Sequence, residues 1–278
     1  MEFVRSLCRR RHRAARRQGA GRGLGDRDPG RSAGPGGLPG PDPRPDRGDR
    51  PCLSLRGVTA GYGRTRVLED VSLAVPEGGA VAVMGHNGAG KTTLLRVAVG
   101  LLPVMRGQVL VDGEDVTRLR PNKRVRRGVG YVPQGQLCFP QMTTLENLQA
   151  RHHRQGGDRW GAGHLPGSAR PARPPCGAAL RRPATASFSI ARTLLTRPRL
   201  LILDEPTEGI QPNVVAEIEA VITDLTARGD LSVLLVEQHV GFALRSTDSY
   251  YVLESGRVTS SGEGGPGALD AVRAAMAV

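Results

Sequence analysis

Gly85-His86-Asn87-Gly88-Ala89-Gly90-Lys91-Thr92 is the stretch from which the rest of the chain is read. It has a glycine, four residues, a glycine, a lysine and a hydroxyl, the spacing of a phosphate-binding P-loop. Successive backbone N–H groups of such a loop point inward and cradle phosphate oxygens. Gly88 and Gly90 allow close backbone approach. Lys91 is placed to reach the terminal phosphates, and the Thr92 hydroxyl to ligate Mg²⁺. The flanks agree with this reading. Ala80-Val81-Ala82-Val83-Met84 is a short apolar run that reads as a buried parallel strand. Thr93-Leu94-Leu95-Arg96-Val97-Ala98-Val99 reads as the helix that follows. Strand, loop and helix together are far more specific than a Gly-rich turn alone.

The 278 residues suffice for one large domain or two small ones, and a hydrophobic content of 38% suffices for a core. No apolar run approaches the roughly 18 residues that a membrane span needs. Aromatics make up only 3%, which argues against a stacking surface for nucleic acid. Cys8, Cys52, Cys138 and Cys176 are far apart and form no paired metal spacing, which fits a reduced, cytoplasmic setting. A net charge of +13 points at first to nucleic acid or an anionic membrane. Its distribution removes that inference. Residues 1–50 carry 13 Arg and 6 acids, and residues 151–187 carry 7 Arg and 1 acid, so these two stretches hold the whole excess. The remainder has 19 basic and 19 acidic residues and is neutral.

Residues 1–50 are rich in Arg, Gly and Pro and show no period, so they read as disordered. The clusters Arg9-Arg10-Arg11 and Arg16-Arg17 lack the apolar stretch of a secretory signal. They read either as a nucleic-acid or membrane-surface arm or as upstream sequence translated from an early start codon, and composition favours the second. Order is expected from Leu53, where Leu53 to Val58 alternates like a half-buried strand. Val67 to Val75, Gln108 to Val111 and Val129 to Gln134 read as further strands, and Thr143 as the cap of a helix with Glu146 three residues on. From about Arg151 to Ser187 the pattern fails, and a structureless segment that long inside a domain is suspect. Order returns at Phe188. Leu200 to Leu203 form an apolar strand ending in Asp204-Glu205, Pro212 opens a helix with a 3.6 period, and Ser232 to Val236 form another buried strand. Tyr250 to Leu253 and Gly256 to Thr259 suggest a terminal hairpin. The expected organisation is a disordered extension over 1–52, a nucleotide-binding domain over 53–260 with 151–187 anomalous, and a tail over 261–278 with a short helix. Strands alternating with helices imply an α/β domain with a largely parallel core sheet.

A P-loop needs a partner acid for Mg²⁺. Asp204 ends an apolar strand where its carboxylate can face the phosphates, and Glu205 beside it is placed to orient and deprotonate water. With these residues in view, Leu53 to Thr259 resembles the ATP-binding subunit of an ABC transporter. The resemblance implies a P-loop NTPase core with a mostly parallel sheet, a small antiparallel β subdomain, a helical subdomain that is damaged here, and ATP with Mg²⁺ as cofactors. It implies adenine stacking on Tyr62, phosphate binding over Gly85 to Thr93, and contact of Gln134 with Mg²⁺ and the attacking water. It makes Asp204 the magnesium aspartate and Glu205 the catalytic glutamate. Thr207-Glu208-Gly209-Ile210-Gln211-Pro212, with Leu235-Val236-Glu237-Gln238, is most similar to the urea and branched-chain amino-acid importer group, and within it to the urea importer's second ATP-binding subunit. That group has glutamine where most relatives place a catalytic histidine, which gives Gln238 a catalytic role. His239 next to it reads as an ordinary helix-start residue. Gln211 stands near the place of the family's usual acid in the loop after the glutamate.

The family signature, Leu-Ser-Gly-Gly-Gln, is expected about two dozen residues before Asp204 and is absent. Ala179-Leu180-Arg181-Arg182-Pro183-Ala184-Thr185-Ala186-Ser187 stands there instead. Back-translated as GCT CTC CGG CGG CCA GCA ACA GCA AGC and read one base later, it spells Leu-Ser-Gly-Gly-Gln-Gln-Gln-Gln. Residues 151–187 are therefore read as out of frame between two compensating indels, which explains their composition, their charge and their lack of period together. In the family, each ATP lies between the P-loop of one subunit and the signature of another. The expected partners are thus a second ATP-binding subunit in a heterodimer, transmembrane permease subunits and, indirectly, a solute-binding protein, at the cytoplasmic face of the membrane. Two rivals are a non-catalytic nucleotide-binding protein, because the signature is missing, and a nucleic-acid-dependent ATPase, ranked last because the remaining domain is charge-neutral.

Overall fold

The computed structural model describes residues 51–135, 147, 182–227, 229 and 231–276. The extension over 1–50, the helix expected from Thr143 (apart from Asn147, which is helical and buried), most of the helical subdomain and most of the anomalous segment 151–187 lie outside the described residues.

The element order is β1 (Leu53–Tyr62), β2 (Thr65–Val75), β3 (Ala80–Met84), α1 (Lys91–Val99), β4 (Arg106–Val111), β5 (Glu114–Asp115), α2 (Pro121–Val125), β6 (Val129–Val132), α3 (Arg182–Leu194), β7 (Leu200–Asp204), α4 (Pro212–Thr226), β8 (Ser232–Glu237), α5 (Val240–Ser246), β9 (Ser249–Glu254), β10 (Arg257–Glu263), a 3₁₀ turn (Pro266–Ala268) and α6 (Leu269–Met276). The strands form two sheets. One is antiparallel, in the order β2-β1-β4-β5, and the other runs β10-β9-β3-β8-β7-β6. In the second sheet β9, β3, β8, β7 and β6 are mutually parallel and only β10 is antiparallel. This is the α/β architecture expected, a parallel core beside a small antiparallel sheet.

The apolar runs explain the burial. Every residue of β3, β7 and β8 is buried. Alternate side chains leave opposite faces of a strand, and here they feed two separate cores. Val81, Val83, Leu200, Ile202, Leu234 and Val236 join the core shared with α1 and the antiparallel sheet. Ala82, Met84, Leu201, Leu203, Val233 and Leu235 join the core under α3, α4 and α5. A strand covered on both faces reads as a continuous apolar run rather than an alternating one.

Several boundaries differ from the sequence expectation. The strand expected to end at Gln134 stops at Val132, because Pro133 has no N–H to continue the ladder. The first strand runs on to Tyr62 through irregular register after Leu55. The helix after the anomalous segment begins at Arg182, ahead of Phe188; Pro183 lies in its first turn, where proline is tolerated. The terminal hairpin spans Ser249–Glu254 and Arg257–Glu263. Among the described residues, no helix is long and apolar enough to cross a membrane.

The P-loop helix α1 is tied at its far end. Gly100 adopts φ 81° and donates to the Val97 carbonyl, and Leu101 donates to the Arg96 carbonyl, closing the last turn. Arg124, 1% exposed, adds its guanidinium there. It donates to the carbonyls of Val97 (2.7 Å), Ala98 (2.9 Å), Thr117 (3.0 Å) and Leu119 (3.1 Å). Burial lowers its pKa to about 10, so the group keeps its charge at neutral pH.

Candidate functional site

The shape of the P-loop is set by the strands beside it. β3 delivers Gly85, where a Cβ would lie 2.2 Å from the Leu253 carbonyl oxygen of β9, so only glycine fits. Gly256, in the β9–β10 turn, donates its N–H to the Ala89 carbonyl at 2.9 Å. Gly88 (φ 84°) and Gly90 (φ 105°) take left-handed conformations that turn the backbone into the cradle. Lys91 is buried, and its Nζ donates to the carbonyls of Gly85 (2.8 Å) and His86 (3.1 Å). The same nitrogen is 3.5 Å from Oε1 of Glu205. A buried ammonium is costly without such partners. His86 also reaches out of the loop, with Nε2 against the carbonyl of Met276 at the end of α6.

β7 carries Asp204 to the edge of this cradle. Asp204 is 2% exposed, and its Oδ2 accepts from the Tyr131 hydroxyl at 3.2 Å. Its Oδ1 is buried with no hydrogen-bond partner among the described residues. Burial pushes the Asp204 carboxyl above its ordinary pKa, with a further rise from Glu205 and opposing effects from Tyr131 and Lys91. Burial first, and then the Asp204 charge, push the Tyr131 hydroxyl up as well, so it remains a donor.

Glu205 is held in the left-handed region at φ 44°, unusual for a residue with a side chain, and its N–H donates to the Val236 carbonyl at 2.9 Å. Its carboxylate is bracketed by two amides. Gln238 Nε2 donates to Oε1 at 2.8 Å and Gln134 Nε2 donates to Oε2 at 3.1 Å. Each amide has a second anchor: Gln238 on Asn87 Oδ1 at 2.7 Å, and Gln134 on Glu208 Oε2 at 2.7 Å. A carboxylate so held has little rotational freedom and points one edge at the P-loop lysine.

Asn87, Gly88, Gly90, Lys91, Thr92, Thr93, Gln134 and Glu205 line one cleft of about 270 Å³, together with Val67. Of the other residues singled out from sequence, Gly85, His86 and Ala89 shape the loop from behind, Asp204 stands next to the lining residue Glu205 and accepts from Tyr131, and Gln238 contacts two of the lining residues. Tyr62 stands apart from the cleft, 44% exposed at the end of β1. Its hydroxyl accepts from Arg96 at 2.9 Å, and that guanidinium is 6.0 Å from the ring centre. His239 caps the start of α5, as expected, without a side-chain cap bond. Sequence reasoning missed Tyr131, Glu208 and Val67. The first two sit beside recognised motif residues, but nothing in their spacing tells which atoms they meet.

The donor set suits Mg²⁺. Among the described residues there is no cluster of three or more His, Cys, Asp or Glu side chains able to hold a metal ion alone. The orphaned Oδ1 of Asp204, the Thr92 hydroxyl and the carbonyl oxygen of Gln134 are hard oxygen donors, too few for a protein cage. Mg²⁺ is commonly held in this way, by one or two carboxylates together with substrate phosphates.

Fold and site define a P-loop nucleoside triphosphatase. The ABC transporter family profile matches residues 68–208, half of the chain. An uncharacterised ABC transporter ATP-binding protein of Rhizobium meliloti (strain 1021) is 37% identical over 223 residues, covering 76% of this chain and 80% of that protein. The lipopolysaccharide export system ATP-binding protein LptB of Haemophilus influenzae is 33% identical over 224 residues, covering 76% and 90%. A solved structure of the ATP-binding subunit of an ABC transporter superposes with a TM-score of 0.63 at 26% identity, covering 81% of this chain and 92% of that one. The chain belongs to the ABC transporter ATP-binding family, whose members bind ATP with Mg²⁺ and couple its hydrolysis to transport. Cassettes of this family dimerise and work with transmembrane permease partners.

Proposed function

We propose that this chain is the ATP-hydrolysing subunit of an importer for urea or a related small polar solute, seated on permease subunits at the cytoplasmic face of the membrane. The observation that carries the hydrolytic role is the bracketed carboxylate of Glu205, held by Gln134 and Gln238 and 3.5 Å from the P-loop lysine. The P-loop N–H groups and Lys91 hold the ATP phosphates, and Tyr62 stacks on the adenine. Asp204, Thr92 and Gln134 would hold Mg²⁺, which neutralises phosphate charge when bound. Glu205 orients a water and accepts its proton as the water oxygen bonds to the γ-phosphorus. The bond from that phosphorus to the β–γ bridging oxygen breaks, releasing ADP and phosphate. Gln238 takes the catalytic position that most relatives give to a histidine, fixing Glu205 by hydrogen bonding. The second wall of this half-site comes from the signature of a different ATP-binding subunit.

Replacing Glu205 by Gln is expected to lower ATP turnover of the assembled transporter by about 10²- to 10⁴-fold, the worth of a positioned general base. Binding of MgATP is expected to survive. Undiminished turnover in that variant would refute the assignment.

The solute reading rests on the run Thr207 to Pro212 with Glu237-Gln238. Branched-chain amino acids are the alternative within the same group. LptB at 33% identity favours a further reading, an ATPase driving lipopolysaccharide export. Co-purified permease subunits, tested for uptake of labelled urea and labelled leucine, separate the three readings. Uptake of neither, with a lipopolysaccharide-binding partner, excludes the importer.

A further inference from the structure

Glu237 is a buried carboxylate with no part in the reaction described above. It is the last residue of β8, is 1% exposed, and pairs in register with Met84, the residue before the P-loop. A buried carboxylate is costly unless donors or a cation satisfy it. Here the donors come from two loops. Oε1 accepts from the Thr207 N–H at 3.1 Å and the Thr207 hydroxyl at 2.6 Å. Oε2 accepts from the N–H groups of Gln238 at 3.1 Å and His239 at 3.4 Å. The His239 ring stands beside both, with Nδ1 3.3 Å from the Thr207 hydroxyl oxygen and 3.5 Å from Oε2. Thr207 follows Glu205 by two residues. Gln238 is itself the donor to Glu205. One carboxylate therefore ties together the two loops whose side chains meet at Glu205.

We propose that Glu237 is a positioning residue for ATP hydrolysis, locking the loop after Glu205 to the loop that carries Gln238 so that the Gln238 amide stays on the Glu205 carboxylate. The inference rests on Glu205 being the group that activates water. The chemistry demands a carboxylate at this place. All the partners on Oε1 and Oε2 are donors, and only an ionised carboxylate is acceptor on both sides. A glutamine keeps the shape but turns an NH₂ toward either the Thr207 pair or the Gln238 and His239 pair, so one half of the clamp opens. Glu237 acts through Gln238 and touches no phosphate, so its effect falls on turnover and spares binding.

The experiment compares Glu237→Gln, Thr207→Val and the double variant as full chains assembled with their transporter partners, with Glu205→Gln in parallel. Each single variant is expected to lower kcat about tenfold or more with KM for ATP unchanged, the signature of a misplaced reacting group. The double variant is expected to lose no more than Glu237→Gln alone, because the two residues act through one clamp. In the full chain alone, the amides of Thr207 and Gln238 are expected to exchange hydrogen faster in Glu237→Gln. A clamp that served stability only would lower the thermal midpoint and leave kcat per folded site unchanged, which overturns the proposal. Additive losses in the double variant, or unaltered exchange at both amides, overturn it too. If Glu237→Gln does not fold, Thr207→Val decides alone, and a wild-type kcat there is fatal. Normal turnover in Glu205→Gln would instead remove the reading on which this one stands, whatever Glu237 does.

Discussion

Tyr131 donates its hydroxyl proton to Oδ2 of Asp204 across 3.2 Å and leaves Oδ1 of the same carboxylate buried without a partner among the described residues. The bond fixes which oxygen is left free for a cation. Burial makes Asp204 a source of instability in the chain without bound cation, because a buried charge with one oxygen unpartnered is unfavourable.

The pH dependence follows with a definite sign. Burial raises the Asp204 pKa above its ordinary value, so between the two values the native state holds a proton that the unfolded chain has lost. Stability from this group therefore falls as pH rises through that window and stays lower above it. Asp204→Asn is expected to raise the thermal midpoint at pH 7 and to lose the advantage in acid, below the ordinary carboxylate pKa. Scanning calorimetry at both pH values checks this, and a variant less stable at pH 7 would contradict it. The same substitution is expected to abolish the Mg²⁺ dependence of ATP binding.

Lys91 offers a second test. Its ammonium is already aimed into the loop by two carbonyls. Charge-assisted bonds to phosphate are worth about 1.5–3 kcal/mol, so Lys91→Ala is expected to weaken ATP binding by roughly tenfold to a hundredfold. Titration calorimetry with MgATP reads the change directly, and unchanged affinity would exclude a phosphate contact.

Arg124 should matter for stability and not for chemistry. Arg124→Met leaves the carbonyls at the end of α1 without their buried donor, at a cost of about 2–4 kcal/mol by the worth of charged hydrogen bonds. Urea unfolding is expected to show the midpoint falling at constant slope. A midpoint within error of the wild type would show that water replaces the guanidinium freely.

The sequence as it stands is expected to serve only one of the two ATP sites of a cassette dimer. Its P-loop is intact, but its missing signature leaves the partner's ATP without preorganised donors, each worth about 10²–10³ in rate. Recoding residues 151–187 in the neighbouring frame is expected to raise turnover at the partner's P-loop by at least that factor. Sequencing the coding DNA provides the simpler check: a segment with no neighbouring open frame carrying the signature removes the frameshift explanation.

The buried strands were legible because their apolar runs are continuous: Ala80 to Met84, Leu200 to Leu203 and Ser232 to Val236 all became core strands. The helix from Pro212 was legible from its period and its N-terminal proline. The short helix α2 was not, since five residues carry too little period to read, and of the seven-residue α5 only the start at His239 was legible. At the site, residues held by the motif itself, Lys91, Asp204 and Glu205, were legible. Glu208 and Glu237 were not, although both stand within quoted motifs. What each carboxylate meets depends on loops 74 and 30 residues away in sequence, and spacing along the chain does not encode that approach.

The neighbours of β3 have a consequence for the order of synthesis. The strand that carries the P-loop is flanked on both sides by segments made much later, β8 at Ser232–Glu237 and β9 at Ser249–Glu254. The Gly85 fit against Leu253 comes with β9 itself, and the Gly256 bond to Ala89 arrives later still. A ribosome-bound chain thus exposes Gly85 to Thr92 long before it can shape them, and contacts this distant form slowly. ATP finds no shaped cradle on the nascent chain until these late segments have joined the core. Chains cut short between Thr92 and Gly256 should emerge as proteins with an intact motif and no nucleotide site.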